Sequence, residues 1–320
     1  MRSIFAAQIL VVLTATRMAA AVPVTVTFQI NDSYVKGKTI ADVSIGVALS
    51  EDGPFVASGT TDTRGRLELS LEPGEYFATY RAPSYVPIEK SPVRVGSTPL
   101  TITTTLTMMM EATGTVGRAR VQVVLNWGSR EGDQVQDIDA HLLCACKAAG
   151  AHVFYGALRH GGEGHECALD VDDRDWGGPE TVTLTDPVPG SYSYWVYDYS
   201  GSDGARLGNS DVVVRVVIDD SVAGEYRIPA DVVQRAWRPF RELTVGSSGE
   251  PRIVPFTAED RAAGMDRRIP PERDWPPASS PAEGTSSPAF SIGSGWVFGL
   301  LVLVAFILLV RWRRRQRRIR

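Results

Sequence analysis

Residues 65–80 read GRLELSLEPGEYFATY. Leu67, Leu69 and Leu71 alternate with Arg66, Glu68 and Ser70, a Pro73-Gly74 pair follows, and a second alternating run carries Tyr76, Ala78 and Tyr80. Period two belongs to strands, whose successive side chains point to opposite faces, and Pro-Gly forms turns. The same alternation recurs in PVTVTFQI, RVQVVLNW, ETVTLTD, GSYSYWVYDYS and DVVVRVVID, each bounded by Gly, Pro, Asp or Ser. No long amphipathic helical pattern occurs before the C-terminal apolar segment. The fold class is all-β.

The ends of the chain read differently. Residues 1–21 have an arginine, an apolar run from Ile4 to Leu13 and a small-residue end at Ala19-Ala20-Ala21, the layout of a secretory signal peptide. Near the other end Ile292 to Val310 is almost wholly apolar and, at about 1.5 Å per helical residue, spans a hydrocarbon core of about 30 Å. Residues 291–310 read as one transmembrane helix with Trp296 and Trp312 at the interfaces. The seven arginines of residues 311–320 read as a cytoplasmic tail by the positive-inside rule. The short SIGSG stretch before the span also resembles bacterial C-terminal sorting signals, which implies surface sorting after processing as the alternative to plain anchoring. Without both end segments the chain holds about 24 Lys and Arg against 37 Asp and Glu. That acidic balance points away from nucleic acid and toward cations or basic partners.

About 240 residues lie between the signal and the stalk, more than one small core holds, so two tandem β-sandwiches are expected. The first covers 22–108. Its ASGTTDTRGRLELSLEPGEYFATY run resembles the carboxypeptidase regulatory-like, transthyretin-like β-sandwich family, which implies a fold and turn roles for Asp62 and Gly65 but no chemistry. Asn31-Asp32-Ser33 is a formal glycosylation sequon. A second unit covers 113–257. Residues 258–290, with proline pairs at 270–271 and 276–277 and a Ser-rich end, read as a disordered stalk.

All three cysteines (144, 146, 167) and all four histidines (141, 152, 160, 165) fall between residues 141 and 167. In DIDAHLLCAC, alternation sends Ile138, Ala140, Leu142, Cys144 and Cys146 one way and Asp137, Asp139 and His141 the other. In CALDVDD, Cys167, Leu169, Val171 and Asp173 share one side, Asp170 and Asp172 the opposite side. If the two strands neighbour one another in a sheet, their carboxylates repel unless protonated or bridged by a cation. Calcium, which takes six to eight oxygen ligands, suits Asp137, Asp139, Asp170, Asp172 and Asp173 or Glu180. The competing reading has the aspartates cap turns and face water. Zinc is weighed against the same residues, but C-x-C and H-x-C match no standard zinc motif. An exported chain favours oxidised cysteines, so Cys144 or Cys146 paired with Cys167 is the expected disulfide. His160 and His165 read as loop histidines.

The ordered series DIDAHL, HVFYG, ALDVDDRDWGGPETVTL and GSYSYWVYDYSG resembles the YfaP-like family of extracytoplasmic β-sandwich domains. The resemblance implies an exported sandwich without an established activity. Asp137, Asp139, His141, His152, Asp170, Asp172, Asp173, Gly178, Pro179 and Glu180 stand on its motif positions. LLCACKAAGAH departs from the pattern and lends the disulfide no support.

Trp195, Tyr197 and Tyr199 share one face of their strand, with Tyr192 and Tyr194 on the other. The first set either stacks on a ligand such as sugar or lies under a neighbouring element, the second being favoured. No nucleophile elbow, HExxH helix or P-loop occurs, so no enzyme is expected. The sequence thus reads as a membrane-anchored, cell-surface protein for binding or envelope architecture. Calcium is its candidate cofactor, and its partners are the membrane and a surface protein or polysaccharide. A calcium-dependent carbohydrate or protein adhesion module is the alternative, and a metal-dependent hydrolase the third class.

Overall fold

The computed structural model describes residues 22–113, 120–128, 136–144, 151–162, 164–174, 177–200 and 206–268. The signal-like segment, Cys146, the stalk beyond 268, the apolar span and the Arg-rich tail lie outside the described residues. Among those described, no helix is long and apolar enough to cross a membrane.

The first core lies between two sheets built from β1 (Val24–Asp32), β2 (Ser44–Ala48), β3 (Phe55–Thr60), β4 (Arg66–Leu71), β5 (Gly74–Arg81), β6 (Ile88–Val95) and β7 (Leu100–Leu106). The strand orders are β4-β1-β7 and β3-β2-β5-β6. Inward residues alternate as expected: Val26, Phe28 and Ile30 of β1 and Tyr76, Ala78 and Tyr80 of β5 are all buried. The Pro73-Gly74 turn carries the chain from one sheet to the other, since β4 pairs with β1 and β5 with β2 and β6. The Asn31 sequon begins in the last two residues of β1, and its Ser33, just past the strand, is fully buried.

A one-turn helix α1 (Met110–Thr113) precedes the second set of strands: β8 (Arg120–Asn126), β9 (Ile138–Leu143), β10 (His152–Val153), β11 (Arg159–Gly162), β12 (His165–Val171), β13 (Glu180–Thr185), β14 (Gly190–Asp198), β15 (Val213–Ile218), β16 (Ser221–Arg227), β17 (Ala236–Trp237), β18 (Glu242–Val245) and β19 (Pro251–Val254). One sheet runs β10-β9-β14-β18-β19, with β17 also on β14; the other runs β11-β12-β13-β8-β15-β16. A second core fills the space between them.

Both cores fall within one compact unit. The joint explains why every residue of β8 is buried. Val121, Val123 and Leu125 enter the second core, while the opposite side meets the first sandwich. There Ser33 Oγ donates to Gln122 Oε1 (2.8 Å), Asn126 Nδ2 to Thr105 Oγ1 (2.7 Å) and Arg120 Nη1 to the Tyr34 hydroxyl (2.7 Å). Buried polar groups must find such partners, and β8 finds them across the joint.

Residues 258–268, expected from composition to belong to a stalk, carry ordered elements. Residues 257–268 dock on the second sandwich through α2 (Ala258–Ala262) and a short 3-10 turn at Met265–Arg267. Thr257 and Asp260 form a capping box, and the Arg238 amide donates to the Asp266 carbonyl.

Candidate metal centre

β9 places its core side and its acidic side as alternation requires: Ile138, Ala140 and Leu142 enter the core, and Asp139 and His141 take the opposite face. That face is also buried. Asp139 is 3% exposed and His141 1%, because Trp195 and Phe154 stack over the His141 ring.

The acidic strands do not share a sheet. β9 belongs to one and β12 to the other, so the carboxylates meet across the end of the sandwich. Glu180, the first residue of β13, closes the gap. β10 covers β9 only at Leu142 and Leu143, leaving the Ala140 amide to the open edge, and Glu180 Oε2 accepts from it at 2.5 Å. The turn into Glu180 needs glycine: Gly178 has φ +73°, and a Cβ there would lie 2.8 Å from the Trp127 ring.

One oxygen from each of Asp139, Asp172 and Glu180 lies within 4.8 Å of the others. Oxygens bound about 2.4 Å from a shared cation stand at most about 4.8 Å apart, so the set fits a hard cation. Two of its atoms, Asp139 Oδ2 and Glu180 Oε1, are buried without a hydrogen-bond partner among the described residues. His141 Nε2 lies 3.9 Å from Asp139 Oδ2, too far for a hydrogen bond.

Electrostatics follow the geometry. Burial, then the charges of Asp137 and Asp172, push Asp139 up to about 8. Burial and then Asp139 raise Glu180 well above the usual carboxylate range. Asp137, half-buried beside them, is raised by burial and then by Asp172. Asp139 held this way carries a proton at neutral pH unless a cation replaces it.

The remaining sequence candidates separate from this centre. The β12 ladder shifts register between Leu169 and Val171, and Asp170 lies with Arg159 (3.7 Å) and Tyr34 on the side of the joint. Asp173 pairs with Lys36 of the first sandwich at 3.2 Å. The same Lys36 donates to the Asp172 carbonyl at 2.8 Å, tying the loop that supplies Asp172 to the other sandwich.

Cys144 and Cys167 lie buried in the second core, across β9 from His141, and among the described residues no disulfide joins them. His141 Nδ1 and His152 Nε2 form a hydrogen-bonded pair at 2.9 Å. Burial and then the neighbouring imidazole push His141 down to about 3; burial and then His160 push His152 down to about 4. Both rings are neutral at physiological pH. Nothing in the sequence spacing announces this pair, which depends on β10 folding back along β9.

Trp195 is fully buried and takes part in the covered stack rather than in a ligand surface, and Tyr197 lies under the Arg235 guanidinium at 4.9 Å. Tyr199, 49% exposed, stands edge-on to Tyr155, 39% exposed, with centroids 5.1 Å apart. The Tyr199 amide donates to the Asp137 carbonyl, so this aromatic pair adjoins the acidic centre.

No family model and no curated protein matches the chain. Among solved structures, the unknown-function protein SAV2460 is 19% identical, with 44% of this chain and 88% of that chain covered and a TM-score of 0.34. BcpA, the major pilin subunit of Bacillus cereus, is 10% identical over 74% of this chain and 96% of its own, TM-score 0.24. A putative carbohydrate binding protein from Bacteroides uniformis is 13% identical over 61% and 97%, TM-score 0.23. At TM-scores of this size the overlap carries neither ligand nor activity across.

Proposed function

We propose that this is a surface-exposed, membrane-anchored protein for binding or envelope architecture, whose second sandwich holds calcium between Asp139, Asp172 and Glu180, with Asp137 at the outer side. The observation that carries the reading is the convergence of three carboxylates, two of them with buried, unpartnered oxygens. Leaving such oxygens unmet is costly, and an all-oxygen donor set selects a hard cation over zinc. The signal-like N-terminus and the apolar span before the arginines support export and anchoring. Motifs alone support a carboxypeptidase regulatory-like first sandwich and a YfaP-like second one.

The adhesion reading, in which calcium serves a carbohydrate or protein ligand, gains from one feature: the exposed Tyr155–Tyr199 pair beside the centre. Melting of the full-length protein with calcium, magnesium or chelator tests the cation. At a hundredfold excess over Kd the ligand adds about 2.7 kcal/mol, a shift of several degrees. A calcium-specific rise abolished by Glu180→Gln supports the site; an identical melting point in all three conditions rejects it.

A further inference from the structure

The joint between the sandwiches encloses a second feature, unrelated to the acidic centre. β6 and β7 of the first sandwich and β8, β15 and β16 of the second wall a cleft of about 380 Å³, within the roughly 300–1,000 Å³ range of small-molecule sites, which favour domain interfaces. Its walls carry Arg94, Arg215 and Arg227 with the carboxylate of Asp211, while Glu225 pairs with Arg215 and Arg227 and Glu75 with Arg94.

Two of these guanidiniums share one anion. Arg215 Nη2 donates to Glu225 Oε2 (2.7 Å) and Arg227 Nη2 to Glu225 Oε1 (3.0 Å), while Ser91 Oγ from the first sandwich donates to the same carboxylate. Burial raises the Glu225 carboxyl, yet Arg215 and Arg227 bring it below its usual value, which marks a positive local potential. Arg215 is consumed by this network and by the Thr105 carbonyl (3.2 Å). Arg227 is not: its Nε and Nη1 make no hydrogen bond among the described residues, and Arg94 on the rim has only an exposed contact with Glu75. On β7, Thr101 and Thr103 share the face opposite to Ile102, whose side chain packs on the first core.

Cationic donors at one side and hydroxyls along a strand suit a ligand with a carboxylate and several hydroxyls. We propose that the interdomain cleft binds an acidic saccharide unit, with Arg227 and Arg94 on its carboxylate and Thr101 and Thr103 on its hydroxyls.

The test is calorimetric titration of the full-length protein with digalacturonate, its neutral galactose counterpart and inorganic phosphate. Digalacturonate is expected to bind at least about tenfold more tightly than the neutral sugar, the effect of one charge-assisted contact. Arg227→Gln, exposed and with its melting point checked, is expected to remove about tenfold of that affinity. Thr103→Val should weaken the sugar acid without changing phosphate. Equal binding of acidic and neutral sugars, affinity unchanged in Arg227→Gln, phosphate binding as tightly as digalacturonate, or no sugar binding at millimolar concentration would each overturn the proposal. Chelator has no effect on this result if the cleft is independent of the cation, which separates it from the fate of the calcium reading.

Discussion

Each sandwich buries an aspartate, and the two are opposites. Asp32 ends β1 with no exposed surface, and Asp139 in β9 is almost as deeply placed. Asp32 accepts from the Tyr34 and Val35 amides, from Lys38 Nζ at 2.8 Å and from the Tyr85 hydroxyl at 2.7 Å. Burial raises its carboxyl, but Lys38 and the hydrogen bonds bring it below the ordinary value. Asp139 has like charges for neighbours and an unpartnered oxygen, and it is driven up to about 8. Burial is common to both. The surrounding donors decide whether a buried carboxylate is structural or waits for a counter-ion.

Four substitutions and two titrations sharpen that contrast, beginning with the largest effect. Asp32→Ala removes the acceptor of a finished network and should cost about 3 kcal/mol, read by chemical denaturation, whereas Asp139→Asn in chelator should leave the protein as stable or more stable. Next comes pH. A carboxyl with a raised folded-state pKa contributes stability that is present below its unfolded value and lost as pH rises through the folded one. In chelator, stability should therefore decline between about pH 4 and pH 8 through Asp139, and calcium should cancel the decline, so its stabilisation grows across that window. Buried neutral histidines act at the acid end. With His141 and His152 depressed to about 3 and 4, stability should fall as pH drops below about 6.5, and imidazole NMR should show both rings neutral at pH 5.

A smaller effect is expected at Thr257→Ala, which loses the capping box of α2 and should cost about 1 kcal/mol by thermal melting. The smallest is Lys36→Ala. The pair is half-exposed, so stability should change little, but loosening the 172–173 loop should weaken calcium binding a few-fold by titration.

Much of this was legible in the sequence. Alternation in β4, β5, β8 and β14 marks them as strands, and the phasing of DIDAHL puts Ile138, Ala140 and Leu142 in the core and Asp139 and His141 opposite. What alternation leaves out is the third layer. It could not show that the outer side of β8 is covered by the first sandwich, or that Trp195 and Phe154 cover His141, because those coverings come from residues far away in the chain. Asp170 departs from the expected set where β12 shifts register, and Asp173 faces Lys36. The docked 257–268 segment carried a local signal, Thr257 three residues before Asp260, within composition that otherwise reads as linker.

The central claim is that calcium replaces protons at Asp139 and Glu180. Calorimetric titration of the full-length protein with calcium at pH 7, repeated in buffers of different ionisation enthalpy, counts the protons released on binding. The account predicts release of at least about one proton per calcium, lost in Asp139→Asn. Binding without proton release, or binding undisturbed by that substitution, would contradict it.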